Sequence, residues 1–166
     1  AEHLLACGRR RIAVITGDPS YGAAHDRAAG VRAALDAAGV PPLGEDRYGA
    51  WTEDWGRTAA AVVLDQHPDV DAIACGSDHI ARGVLDTLRE SGRRVPQDVA
   101  VTGHDNWETL ALSARPPLTS VDMNLEEVGR RAAALLFDAI EGRGRSGTEV
   151  VPCRLVPRGS TGPRAT

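Results

Sequence analysis

The residues of this chain that could do chemistry follow short apolar runs that end at or near glycine. Asp18, His25, Asp26 and Arg27 come after Ile12-Ala13-Val14-Ile15-Thr16-Gly17, and Ser77, Asp78 and His79 come after Ala72-Ile73-Ala74-Cys75-Gly76. His104, Asp105 and Asn106 come after Val99-Ala100-Val101-Thr102-Gly103, and Trp51 follows a weaker strand-like stretch over 46–50. A run that stops at glycine and then presents charge is how a parallel strand delivers polar side chains to its carboxyl end, where open α/β sheets bind ligands. Carboxylates, a guanidinium, an indole and small hydroxyl or amide groups on one rim suit a polyhydroxylated ligand. Asp, Asn and Arg pair vicinal hydroxyls, while an aromatic face covers ring C–H groups. A sugar or sugar-like metabolite is the chemical inference.

The same residues have plainer roles open to them. Asp26, Asp78 and Asn106 stand near predicted helix starts, where they would cap backbone N–H groups. Trp51 reads equally as a partly buried aromatic, Arg27 as a solvated helix residue, and His104 as a satisfied strand-end histidine. The pairs Asp78-His79 and His104-Asp105 also invite a metal-enzyme or hydrolase reading. Against it, the sequence has no HExxH, GxSxG or CxxC, and neighbours on a strand point to opposite faces. All 19 Lys and Arg residues are arginine, which removes the P-loop lysine, Schiff-base chemistry and a lysine base. No catalytic residue, metal or cofactor is expected.

The elements that must position this rim can be read from periodicity. With 166 residues, 42% hydrophobic and 25% charged, the chain has ordinary globular composition and room for one core. Helices are predicted over about 23–38, 53–66 and 79–91, the last with Ile80, Val84, Leu85 and Leu88 on one face and Gly92 as stop. Strands alternating with such helices imply βαβ units, so the fold class is α/β: a parallel sheet with helices on both faces. Beyond Val121, Asn124 is a predicted N-cap with Glu127 at the capping-box position, opening a long amphipathic helix to about Gly142. The segment 149–156 reads as an edge strand, since Pro152 and Pro157 discourage a central one. Cys7, Cys75 and Cys153 are odd in number and in apolar surroundings, so each is expected to be a small buried hydrophobe. A net charge of −4 gives no reason to expect direct nucleic-acid binding. No membrane span or signal peptide is legible, so a cytoplasmic location is expected. The opening Ala1 to Gly8 reads as the end of a helix, which suggests a fragment of a longer polypeptide.

An ordered set of segments makes the chain specific. Arg10-Arg11-Ile12-Ala13-Val14-Ile15-Thr16-Gly17 is followed by Arg27-Ala28-Ala29-Gly30-Val31-Arg32-Ala33-Ala34-Leu35 and by Ser77-Asp78-His79-Ile80-Ala81-Arg82-Gly83. Then come the stretch from Val95 to Asn106, Pro116-Pro117-Leu118-Thr119-Ser120-Val121, and Arg158-Gly159-Ser160-Thr161. With these the chain resembles the effector-binding core of lactose/galactose-repressor (LacI/GalR) family transcriptional regulators, over nearly its whole length.

The resemblance implies a periplasmic-binding-protein-like fold of two α/β subdomains with a small-molecule effector in the cleft. It also implies a helix-turn-helix DNA-binding domain, which lies outside this chain, so operator DNA would be contacted only through that domain. Residues 1–10 would be a helix end from the first subdomain, 11–118 the second subdomain, 119–147 a crossover and long helix of the first, and 148–166 a return strand and tail. The two first-subdomain helices would have lost their sheet. Arg27, three residues before Gly30, would grip the ligand, Asp105 would bind its hydroxyls, and Trp51 would stack on a sugar ring. The remaining ligand-binding candidates are Ser77, Asp78, His104 and Met123. Ser77 stands where the family commonly has Asn, His104 where it has Phe or Tyr, and Met123 where a polar residue often reaches the effector. A homodimer is expected, with Ile80, Val84 and Leu112 at its interface. The alternatives are the sugar-binding protein of a transport system and, further off, a small hydrolase or metal enzyme.

Overall fold

Short apolar runs buried on both faces build a five-stranded sheet, which the computed structural model describes together with the rest of residues 1–162. Its strands are β1 (Ile12–Ile15), β2 (Ala72–Cys75), β3 (Ala100–Asp105), β4 (Thr119–Asp122) and β5 (Arg154–Val156), side by side in that order. The first four are parallel and β5 closes the edge antiparallel to β4. The α/β class with a mostly parallel sheet is therefore as expected. The helices are α1 (Glu2–Ala6), α2 (Gly22–Ala37), α3 (Glu53–Gln66), α4 (Asp78–Glu90), α5 (Glu108–Ala111) and α6 (Leu125–Ile140).

Each sheet face has its own core because strand side chains alternate. Ala13, Ile15, Ile73 and Val101 face α3 and α4, whose Ala59, Val63, Ile80, Val84 and Leu88 complete the larger core. Ile12, Ala72, Ala74 and Ala100 face the other way, toward Leu4 of α1 and Leu35 of α2. Helices α3 and α4 approach until backbone meets backbone: a Cβ on Gly83 would collide with the Glu53 carbonyl, and one on Gly56 with the Ile80 carbonyl.

Several expectations are corrected. The opening helix has not lost its sheet, since Leu4 is fully buried against Ile12 and Leu35. Stretch 46–50 forms only a single parallel bridge, Arg47 to Ile15, and Asp46 beside it pairs with Arg32 at 2.6 Å. Asn124 adopts φ 56° and its side chain caps nothing, while Glu127 pairs with Arg130 and Arg131 instead of completing a capping box. Cys153 is exposed and Cys7 half-buried, leaving Cys75 as the buried thiol. Ile80 and Val84 are wholly inside the core beneath α4 and cannot face a partner, whereas Leu112 is 48% exposed. Helix α6 stands off the sheet with no buried residue, exposing Leu125, Leu136, Phe137 and Ile140. Tail residues 163–166 lie outside the described part.

Two devices tie the fold together at the amino ends of the strands. Arg9 is fully buried, its guanidinium donating to the carbonyls of Asp71 (3.2 Å), Pro96 (2.6 Å) and Gly162 (3.1 Å). Ser160 sits between β3 and β4: its hydroxyl donates to the Val101 carbonyl (2.6 Å) and accepts from the Thr119 N–H (2.8 Å). Both bonds join segments far apart in the chain, so the tail is part of the sheet's structure.

Candidate functional site

Parallel strands bring the loops after β1 to β4 to one edge, and Arg27 of α2 gathers them. Its Nη1 donates to the Gly76 carbonyl at 2.5 Å and lies 3.3 Å from Oδ1 of Asp105. Its Nη2 is 3.7 Å from Sδ of Met123, and its Cζ stands over the Trp51 ring, 5.4 Å from the centroid. The pair is largely desolvated, the Arg27 and Asp105 side chains being 22% and 14% exposed. A guanidinium in this position meets carboxylate, carbonyl and aromatic face at once, so Arg27 is not a solvated helix residue.

Trp51 is placed by the start of α3. The Thr52 hydroxyl caps that helix, accepting from the Trp55 N–H at 3.2 Å, and the indole before it rests on Gly17. A Cβ at Gly17 would collide with that indole. Tyr21, 58% exposed, meets Trp51 edge-on at 6.4 Å and 83°. Trp55 is held nearby through Nε1, which donates to the Thr16 carbonyl at 2.9 Å.

A cavity of about 470 Å³ opens on the α2 side of the sheet, lined among others by Thr16, Asp26, Arg27, Gly76, Thr102 and His104. A second, of about 320 Å³, is bounded by Asp105, Asn106, Trp107, Asp122 and Leu125. Arg27 borders the first and Asp105 the second, so their ion pair joins the two. Asp122, the register partner of Asp105 on β4, has its own cation in Arg154 at 2.9 Å. The Asn124 N–H and Arg154 hold the Asp122 carboxyl below the usual carboxylate range. Two adjacent carboxylates are thus each given a separate guanidinium.

Ser77 and Asp78 are placed differently from Arg27, Trp51, His104, Asp105 and Met123. Ser77 is buried and caps α4, accepting from the Ile80 N–H at 3.3 Å. Asp78, wholly buried, accepts from the Ser120 hydroxyl at 2.5 Å and the Trp107 N–H at 2.8 Å. Neither residue lines the two cavities; Trp51 and Met123 do not line them either, but both contact Arg27, which does. Burial pushes the Asp78 carboxyl up, against the pull of those two donors. The capping roles expected of Asp78 and Asn106 are not what they do: Asn106 accepts from Arg158 at 2.7 Å. Asp26 lies within α2 rather than at its cap and lines the larger cavity. His79 is exposed, and among the described residues no three His, Cys, Asp or Glu side chains group to hold a metal ion. Arg158 and Ser120 stand in segments that carry the resemblance but have no role assigned from sequence; their partners are some 50 and 40 residues away.

A parallel sheet whose strand ends present an arginine and a carboxylate beside open cavities, with an indole stacked on the arginine, has the arrangement by which open α/β sheets bind ligands. Over residues 1–161 the chain matches the periplasmic binding protein-like domain family, and it belongs to that family. The HTH-type transcriptional regulator CelR of Thermobifida fusca is 44% identical over 157 residues, covering 93% of this chain and 44% of the relative. The solved complex of the transcriptional regulator CelR with cellobiose superposes with a TM-score of 0.84 at 42% identity, over 95% of this chain and 49% of that one. The Lac repressor dimer bound to operator and the anti-inducer ONPF gives 0.89 at 29% identity, over 97% of this chain and 56% of that one. The resemblance to LacI-type regulators is thereby borne out. The chain spans about half the length of the relatives it matches. No described helix is long and apolar enough to cross a membrane.

Proposed function

We propose that this chain is the effector-sensing part of a LacI-type transcriptional regulator, binding a carbohydrate at the rim built around Arg27. Asp105 accepts ligand hydroxyls, Arg27 donates to ring or hydroxyl oxygens, and Trp51 supplies an apolar face. Residues 11–118 and the return segment form one lobe of the cleft, and α6 carries its exposed apolar face toward the other. A ligand that bridges two lobes favours one closure state, which alters the geometry of a dimer and so its affinity for operator DNA held by a separate domain. No bond is made or broken, so the chain is not an enzyme, and its place of work is the cytoplasm.

The observation that carries this reading is the single guanidinium of Arg27 meeting Asp105, the Gly76 carbonyl and the Trp51 ring. The test is calorimetry on the regulator polypeptide that contains this chain, with cellobiose, glucose and cytidine as probes. A sugar is expected to bind, and Arg27→Ala is expected to weaken it by about tenfold to a hundredfold through loss of charge-assisted hydrogen bonds. Binding of the nucleoside alone, or unchanged sugar affinity in Arg27→Ala, overturns the reading.

A further inference from the structure

His104 and Asp105 are consecutive residues of β3, and such neighbours ordinarily point to opposite faces. Here they touch: Nδ1 of His104 lies 3.1 Å from Oδ1 of Asp105. The cause is in the backbone, where Asp105 has φ 103° and Asn106 φ 56°. Positive φ is costly for a residue with a Cβ and persists where the surroundings over-determine it. Those surroundings are present: the Asn106 N–H donates to Ser120 Oγ at 3.1 Å, and Arg158 donates to its Oδ1 at 2.7 Å. The next N–H, of Trp107, is taken by buried Asp78. The strand therefore ends in a fixed turn that brings the Asp105 carboxylate back to the imidazole.

The proton on that imidazole can be assigned. Oδ1 of Asp105 also faces Arg27 at 3.3 Å, and a carboxylate paired with a guanidinium only accepts. Nδ1 must then be the donor, which in a neutral ring leaves Nε2 as an acceptor. Oδ2 of Asp105 has no hydrogen-bond partner among the described residues. We propose that His104 is a positioning residue: with Arg27 it holds Oδ1 of Asp105 and so aims Oδ2 at a ligand hydroxyl, while its own Nε2 accepts from a second one. This deepens the carbohydrate reading of the site and rests on it. A phenyl or phenol ring at position 104 would have no donor at the place of Nδ1.

The test begins without ligand, by ¹⁵N NMR of histidine-labelled chain at a pH where His104 is neutral. His104 is expected as the Nδ1–H tautomer, and in Asp105→Gly, where glycine suits φ 103°, that preference is expected to vanish. The Nε2–H tautomer in wild type, or a preference that survives Asp105→Gly, overturns the proposal. Cellobiose is then titrated into the regulator polypeptide. His104→Phe, which loses both the Nδ1 donor and the Nε2 acceptor, is expected to weaken binding about tenfold, while His104→Asn, whose amide N–H falls near the place of Nδ1 and which lacks only the Nε2 contact, should lose markedly less. Equal losses in the two variants also overturn it. No cellobiose binding by wild type counts against the carbohydrate reading, while the tautomer measurement still decides the clamp.

Discussion

Asp78 opens α4 and Ser120 lies in the middle of β4, and the hydroxyl of one donates to the buried carboxylate of the other at 2.5 Å. The second carboxylate oxygen takes the Trp107 N–H, so one side chain fixes β4, the turn after β3 and the start of α5. That turn carries Asp105. A residue with no exposure of its own thus determines where the Asp105 carboxylate stands.

The buried carboxyl gives a pH test with a definite sign. Burial raises the Asp78 pKa above its ordinary value of 3.8, so the folded state binds this proton more tightly than the unfolded one. Stability from this group is then present in full below the unfolded value and is lost as pH rises through the folded one. Asp78→Asn keeps an acceptor for Trp107 and has no charge to bury. Urea unfolding of both proteins should show wild type gaining on the variant between pH 7 and pH 4; a constant or opposite gap refutes the assignment.

Ser160 makes a separate prediction at the other end of the strands. Its buried hydroxyl both donates to Val101 and accepts from Thr119. Ser160→Ala leaves a buried N–H and a buried carbonyl unmet, each costly. A loss of about 1–3 kcal/mol is expected by chemical denaturation, with the helix content of the folded state unchanged.

The contact between α3 and α4 sets a third. A methyl at Gly83 must displace the Glu53 carbonyl, and backbone yields less readily than side chain. Gly83→Ala should therefore destabilise by about 1–3 kcal/mol despite alanine's better helix propensity. At solvent-facing Gly129, where a Cβ meets nothing, the same change should stabilise α6. Equal effects at the two positions would refute the close-packing argument.

What could be read from the sequence depended on whether its cause was local. Helix α3 spans Glu53–Gln66 as the pattern predicts, because its apolar spacing and the Thr52 cap are both local signals. Arg27 and Asp105, matched by resemblance, do meet, yet the further contacts of Arg27 with Gly76 and Met123 needed the sheet. Arg9 is one of three consecutive arginines in the sequence, but its partners come from residues 71, 96 and 162. The return of Asp105 toward His104 was hidden for a different reason: Asp and Asn are residue types that tolerate positive φ, but the partners that hold them there, Ser120 and Arg158, are distant in sequence. The spacing over 125–140 marks an amphipathic helix, while the exposure of its apolar face is seen only in the structure.

The seat of Trp51 supplies the last prediction. Its indole rests on Gly17, where no side chain intervenes, and faces the Arg27 guanidinium at 5.4 Å. Gly17→Ala puts a methyl where the ring now is, so the ring must move while the buried strand Ile12–Ile15 before it stays in place. The effect on the two properties should therefore differ. Affinity of the regulator polypeptide for the cellobiose probe should fall by about tenfold, the scale of a lost aromatic or cation–π contact in a desolvated site. The unfolding midpoint should change less than in Gly83→Ala, since the indole can rotate outward and the α3–α4 backbones cannot separate without opening the core. Tryptophan fluorescence of the variant, with Trp55 and Trp107 replaced by Phe, should report a more solvated Trp51. Unchanged affinity alongside a displaced indole would remove Trp51 from the ligand site and leave Arg27 and Asp105 to carry it.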